Sequence, residues 1–229
     1  MIPREQAARM TFVAVRMGLL VALLGGTCGA ATAPHQSLAG KLFVVDPGHG
    51  VRYPDGSPLN VGAVGSGGIE EMKLTLAIGE DLARRLRHAG ARVVLTRSYA
   101  RPFRIATDRR KDNRARAALA NHLGATAFVS VHADGSLDPG KRGTSVFWLR
   151  SNSAALARAV RAHLAPLGLG ESEFRTRDLA VTSEAVVPAV LVEVGFVSNP
   201  AQARLLATPS FQEREAQALF DAIAQVFGS

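Results

Sequence analysis

The chain has almost no cysteine. The single one, Cys28, lies within the first 33 of 229 residues. That stretch reads as a leader: Arg4, Arg9 and Arg16, then the short apolar run "GLLVALLGG", then the small residues "ATA" at 31–33. The run is too short to span a bilayer, so residues 1–33 are predicted to be a cleaved secretory signal peptide, with an uncleaved anchor as the alternative. "GGTC" lacks the apolar residue that a lipoprotein signal carries three positions before its cysteine. A mature chain without cysteine forms no internal disulfide, even in an oxidising compartment. Its stability must come from packing.

Aromatic residues are also scarce, at 6%, and no run of Lys and Arg is interleaved with them. With export expected, this argues against a nucleic-acid partner. Internal repeats and low-complexity tracts are missing after the leader. What is present is enough apolar material for a sizeable core, 47% of residues. The charge is positive, +8 overall. Losing the leader removes three Arg and one Glu and leaves +6. A basic exported domain suits an anionic polymer or a membrane surface.

After a connector at 34–40, apolar, β-branched-rich runs appear at 42–46, 92–96, 127–131, 144–149 and 189–194. Helical patterns fall between most of them, at about 71–89, 108–123, 152–165 and 210–227. The alternation predicts one α/β domain over 41–229, with a largely parallel sheet covered by helices on both faces. Residues 50–68 hold eight glycines and prolines and read as a long loop, the kind that more often serves a function.

Four residues stand out as candidates for chemistry. His49 follows the first strand in "VVDPGHG", His132 ends "AFVSVH", and Glu193 ends "AVLVE". In a parallel sheet all three lie at the carboxyl edge, where open α/β sheets place their sites. Glu71 opens the helix after the long loop. At about 100° per residue, Leu74, Ile78, Leu82 and Leu86 fan over roughly 120°, and Glu71 falls near the middle of that stripe, at about 60°. Its neighbour Glu70 falls outside the stripe and reads as a helix N-terminal charge. Two imidazoles and a carboxylate suffice for a catalytic zinc with one open position, and a further carboxylate can serve as general base. Spacing alone does not establish this, because the gaps between these residues are long and follow no local rule.

The ordered segments "VVDPGHG", "GGIEEMKLTLAI", "VVLTR", "NRARAALAN", "VSVHAD" and "AVLVEVGFVSNP" resemble the zinc-dependent N-acetylmuramoyl-L-alanine amidases of the cell-wall hydrolase (amidase type 3) family. The resemblance covers about residues 41–227. It implies a mixed six-stranded sheet flanked by helices, one Zn²⁺ held by His49, Glu71 and His132, and a catalytic Glu193. It implies peptidoglycan as substrate, cleaved between N-acetylmuramic acid and L-alanine, in a periplasmic or secreted setting. The alternatives are an inactive peptidoglycan-binding or regulatory module on the same fold and a zinc peptidase acting on another cell-wall bond. Val51 and Asp134 depart from the family pattern, which often has Gly and Asn there. No long helical insertion of the autoinhibitory kind is visible near 150–188, so activity without an activator protein is expected.

Other residues have plainer readings. Asp46 either orients a ligand or caps the turn. Arg114 is structural by resemblance, within an otherwise solvated helix face. His88, His122 and His163 read as surface or packing residues. His35 falls in the mature N-terminus. Phe147 and Trp148 read as core rather than as a substrate platform.

Overall fold

Leu42–Pro47 forms strand β1, and all six residues are buried. A run buried on both faces cannot alternate with polar residues, which is why it reads as one apolar block. The computed structural model describes residues 37–52, 58–99 and 109–229. The predicted leader, His35 and the start of the connector lie outside them.

β1 is an interior strand of a six-stranded sheet with β4 (Arg92–Leu95), β5 (Ala127–Asp134), β6 (Thr144–Trp148), β7 (Glu171–Thr176) and β8 (Ala189–Phe196). The order across the sheet is β4-β1-β5-β8-β6-β7. The first four of that order run parallel. β6 pairs antiparallel to β8, and β7 runs parallel to β6. The sheet is therefore mixed and largely parallel, as expected. A separate two-stranded hairpin joins β2 (Val51–Arg52) to β3 (Pro58–Asn60) within the long loop.

Helices α1 (Glu71–His88), α3 (Ala154–Leu164) and α6 (Pro209–Phe227) share one face of the sheet. There Leu74, Ile78, Leu82 and Leu86 meet Phe43 and Val45 from β1. On the other face α2 (Arg109–His122) and α4 (Ala180–Glu184) cover Leu42 and Val44. Successive β1 residues thus supply opposite cores, as a pleated strand must. α5 (Pro200–Leu206) follows β8 and is capped by the Asn199 side chain.

Two elements lie outside the apolar runs read from the sequence. β7 is one: its residues "ESEFRT" are mostly exposed, because an edge strand with little buried face has no apolar pattern. Its alternating charges suit an unpaired edge, where they discourage further strands from adding. The Gly/Pro-rich loop also contains the β2–β3 hairpin. Between Leu149 and Pro188 the chain holds two short 3₁₀ turns, α3, β7 and α4, with no long helical insertion.

Candidate active site and metal centre

The parallel strands bring their carboxyl ends together. His132 on β5 and Glu193 on β8 are direct register partners, so adjacent strands set them side by side. The ladder shifts between His132 and Asp134, the kind of irregularity that re-aims a side chain at a sheet rim.

His49 sits two residues past β1 with φ of 61°, a left-handed conformation uncommon for a residue with a Cβ. Two buried arginines hold that turn. Arg116 donates to the carbonyls of Pro47 at 3.1 Å and His49 at 2.8 Å. Arg97 donates to the carbonyls of Pro47 and Gly48, both at 2.8 Å. Burial, together with the like charge of Arg116, lowers the Arg97 guanidinium to about 10. Asp46 anchors Arg116 at 2.8 Å and also accepts from Thr96 and Ser130. Burial alone would push the Asp46 carboxyl up, but Arg116 and those hydroxyls outweigh it and hold the group below its ordinary value. Asp46 thus neither touches a ligand side chain nor caps the turn; it positions the arginine that grips the His49 backbone. The structural arginine of this helix is Arg116, not Arg114, which is exposed. Two residues along a helix is more than half a turn, so the two arginines face opposite ways.

Glycine does two different jobs here. Gly50 has φ of 71° and takes a conformation that side chains disfavour. At Gly48 the need is space: a Cβ there would lie 2.4 Å from Cε1 of His132.

Glu71 opens α1 and is buried. Its Oε2 accepts from the Ala63 amide at 2.8 Å, and its Oε1 from the Ala133 amide at 3.0 Å. Oε1 also faces Nε2 of His49 at 2.9 Å and Nδ1 of His132 at 3.0 Å, and those two nitrogens are 3.2 Å apart. Burial raises the Glu71 carboxyl, but its bonds to His132 and His49 prevail and hold it well below the usual carboxylate range. Glu70 stays outside and pairs with Lys73.

These three donor atoms fit one ion. Around a tetrahedral zinc with bonds of about 2.0–2.1 Å, donors stand roughly 3.3 Å apart. The observed separations of 2.9, 3.0 and 3.2 Å are close to that. Behind His49, its Nδ1 lies 3.0 Å from Oδ1 of Asn60.

The three residues open onto a cleft of about 380 Å³ that Glu193 also lines, with Asp134, Phe147, Arg177 and Leu191 among the rest. Oε2 of Glu193 is enclosed and has no hydrogen-bond partner. Burial first, then the charges of Glu71 and Asp134, push its carboxyl well above the ordinary value, while Arg177 pulls it down. A buried ion-pair role for Glu193 is therefore not what the fold provides. The Arg177 guanidinium lies 4.9 Å over the Phe147 ring. Phe147 is thus a cleft wall as well as core, which the sequence reading missed; Trp148 packs on Phe174, as a core residue would. His88 and His122 are exposed and His163 bonds Gln225, all away from the cleft.

Two imidazoles and a carboxylate converging beside an open cleft, with the enclosed Oε2 of Glu193 on the same cleft, suit the donor set of a mononuclear metallohydrolase. A family model described as N-acetylmuramoyl-L-alanine amidase matches residues 43–225, and the chain belongs to that family. It is 30% identical over 200 residues to the germination-specific N-acetylmuramoyl-L-alanine amidase of Bacillus subtilis, covering 83% of this chain and 81% of that one. It is 27% identical over 193 residues to the probable cell wall amidase LytH of Staphylococcus epidermidis, covering 84% of this chain. The chain spans only 60% of that relative's length. The catalytic domain of CwlV, an N-acetylmuramoyl-L-alanine amidase from Bacillus (Paenibacillus) polymyxa var. colistinus, superposes with a TM-score of 0.70 at 33% identity, over 81% of this chain and 97% of that domain. No helix among the described residues is long and apolar enough to cross a membrane.

Proposed function

We propose that this protein hydrolyses the amide between the lactyl group of N-acetylmuramic acid and L-alanine of the peptidoglycan stem, at one Zn²⁺ held by His49, Glu71 and His132. The observation that carries this reading is the convergence of those three donors to within 2.9–3.2 Å on the cleft that Glu193 lines. The chemistry that a bound Zn²⁺ supplies is Lewis acidity: it polarises the scissile carbonyl and acidifies the attacking water. Glu193 takes the proton from that water as its oxygen bonds to the carbonyl carbon. Glu193 then passes the proton to the departing L-Ala nitrogen as the C–N bond breaks. The products are the lactyl carboxyl and the L-Ala amine, and the water's second proton passes from the one to the other to leave a carboxylate and an ammonium. Arg177, stacked on Phe147, is placed to hold an anionic part of the stem peptide against the cleft. The +6 charge expected after leader removal suits an anionic polymer, and the expected site of action is the cell envelope.

Digestion of purified sacculi followed by mass spectrometry tests this. Peptides with a free L-Ala amine are expected, disappearing with a chelator and returning with Zn²⁺. Glu193→Gln should keep zinc and lose turnover by about 10²- to 10⁴-fold. No cleavage by the zinc-loaded protein, with or without added partners, would favour an inert peptidoglycan-binding module. Cleavage within the stem peptides would make it a peptidase.

A further inference from the structure

We propose that Asn60 is the positioning residue that fixes the tautomer of His49 and so presents its Nε2 lone pair to the metal; this rests on the metal site of the function proposed above.

The argument is one of donors and acceptors. Oδ1 of Asn60 lies 3.1 Å from the Gly62 amide, which can only donate. That contact fixes which end of the Asn60 amide faces inward: it is the carbonyl. The same Oδ1 lies 3.0 Å from Nδ1 of His49. A carbonyl oxygen cannot donate, so the imidazole nitrogen must carry the proton. A neutral imidazole has one such proton. Nε2 is then bare, and it is Nε2 that faces Glu71 Oε1 at 2.9 Å and His132 Nδ1 at 3.2 Å.

Asn60 is itself held in place. Its backbone carbonyl accepts from the Gly50 amide at 2.9 Å, next to His49, and its strand β3 pairs with β2 directly after that turn. The hairpin thus carries a side chain back to the ligand from which it started. An amide suits this position electrostatically. Glu71, Asp134 and Glu193 already crowd the cleft with acid. A neutral acceptor orients the ring without adding a fourth negative charge.

The test uses the full mature protein and zinc itself. Zinc affinity is measured by competition with a chromophoric chelator. The ligating nitrogen is identified in the zinc-loaded protein by ¹⁵N-histidine NMR. In the wild type, His49 should coordinate through Nε2 and show a slowly exchanging Nδ1 proton. Asn60→Ala should weaken zinc binding by about 10- to 100-fold and expose that proton to exchange. Asn60→Asp, which keeps an acceptor in place, should restore both. Coordination of the wild type through His49 Nδ1 would overturn the proposal, and that measurement needs no variant. So would an Asn60→Ala protein binding zinc within twofold of wild type, or an Asn60→Asp protein no better than Asn60→Ala. None of these readouts involves peptidoglycan, so a wrong substrate assignment would leave them untouched. A wild type that binds no zinc would instead remove the metal site on which both readings stand.

Discussion

Gly48→Ala is a one-carbon test of the proposed metal centre that alters no ligand. Gly48 is not in a left-handed conformation, so alanine costs its backbone nothing. The trouble is the neighbour: the new Cβ would lie 2.4 Å from Cε1 of His132, against 3.4 Å for the start of ordinary contact. One partner must yield by about 1 Å. The backbone of Gly48 is pinned, because its amide donates to Val131 at 2.8 Å and its carbonyl accepts from Thr75 and Arg97. The His132 ring therefore moves. Ligand bonds tolerate only about 0.2 Å, so a shift of that size withdraws one donor of three. Zinc affinity should fall by at least about 10²-fold and lytic activity with it. Overpacking should cost a further 1–3 kcal/mol or so of stability. Chelator competition and zymography read the first effect, and thermal melting the second. Gly124→Ala is the control: its φ is 58°, but nothing lies within 4 Å of its added Cβ, so it should strain the backbone and spare the metal. A Gly48→Ala protein that bound zinc within threefold of wild type would refute the argument.

Two further predictions concern the buried carboxyls. Asp46 is depressed in the fold, so its contribution is complete above the ordinary carboxylate range and is lost as pH falls through its lowered value. Asp46→Asn should therefore cost about 3 kcal/mol at neutral pH, by leaving Arg116 poorly compensated. The gap from wild type should narrow in acid, as measured by urea unfolding at a series of pH values; a constant gap would contradict the assignment. Glu215 on α6 is the opposite case: it is fully buried, neither oxygen has a hydrogen-bond partner, and burial pushes its carboxyl well above the ordinary value. Unfolding then releases a proton, so wild-type stability should drop by about 1.4 kcal/mol per pH unit between the unfolded and folded values. Glu215→Met should stabilise the fold by about 1–3 kcal/mol, with the gain growing as pH rises. A destabilised Glu215→Met protein at pH 7 would mean that the carboxyl has a partner.

The strands with two buried faces announced themselves as apolar blocks, and α1 as a repeating stripe. β7 did not, since an edge strand exposed along most of its length has no reason to carry a hydrophobic period. Strand direction is invisible in any pattern: the resemblance implies a mixed sheet, and only the structure shows that β6 and β7 are the reversed strands. Within the site, Glu71 was separable from Glu70 because a helix has a known pitch. Asn60 was not separable: a lone amide in a Gly/Pro-rich loop gains its meaning only when the hairpin returns it to His49. Arg116 left one usable sign, its i, i+4 relation to Asp112, with which it pairs at 3.2 Å. The spatial role of Gly48 left none, because its clash partner lies on another strand.

The donors that meet beside the cleft are far apart along the polymer, 22 residues from His49 to Glu71 and 61 from Glu71 to His132. No two of them make a local chelate of the kind that lets a small zinc module nucleate around its ion. An extended chain offers only isolated side chains, and closing such long loops without the sheet is entropically costly. A cation held by the proposed site would thus be a late guest of the finished architecture. It would favour the native form by mass action alone, and stripping it away should leave the scaffold standing.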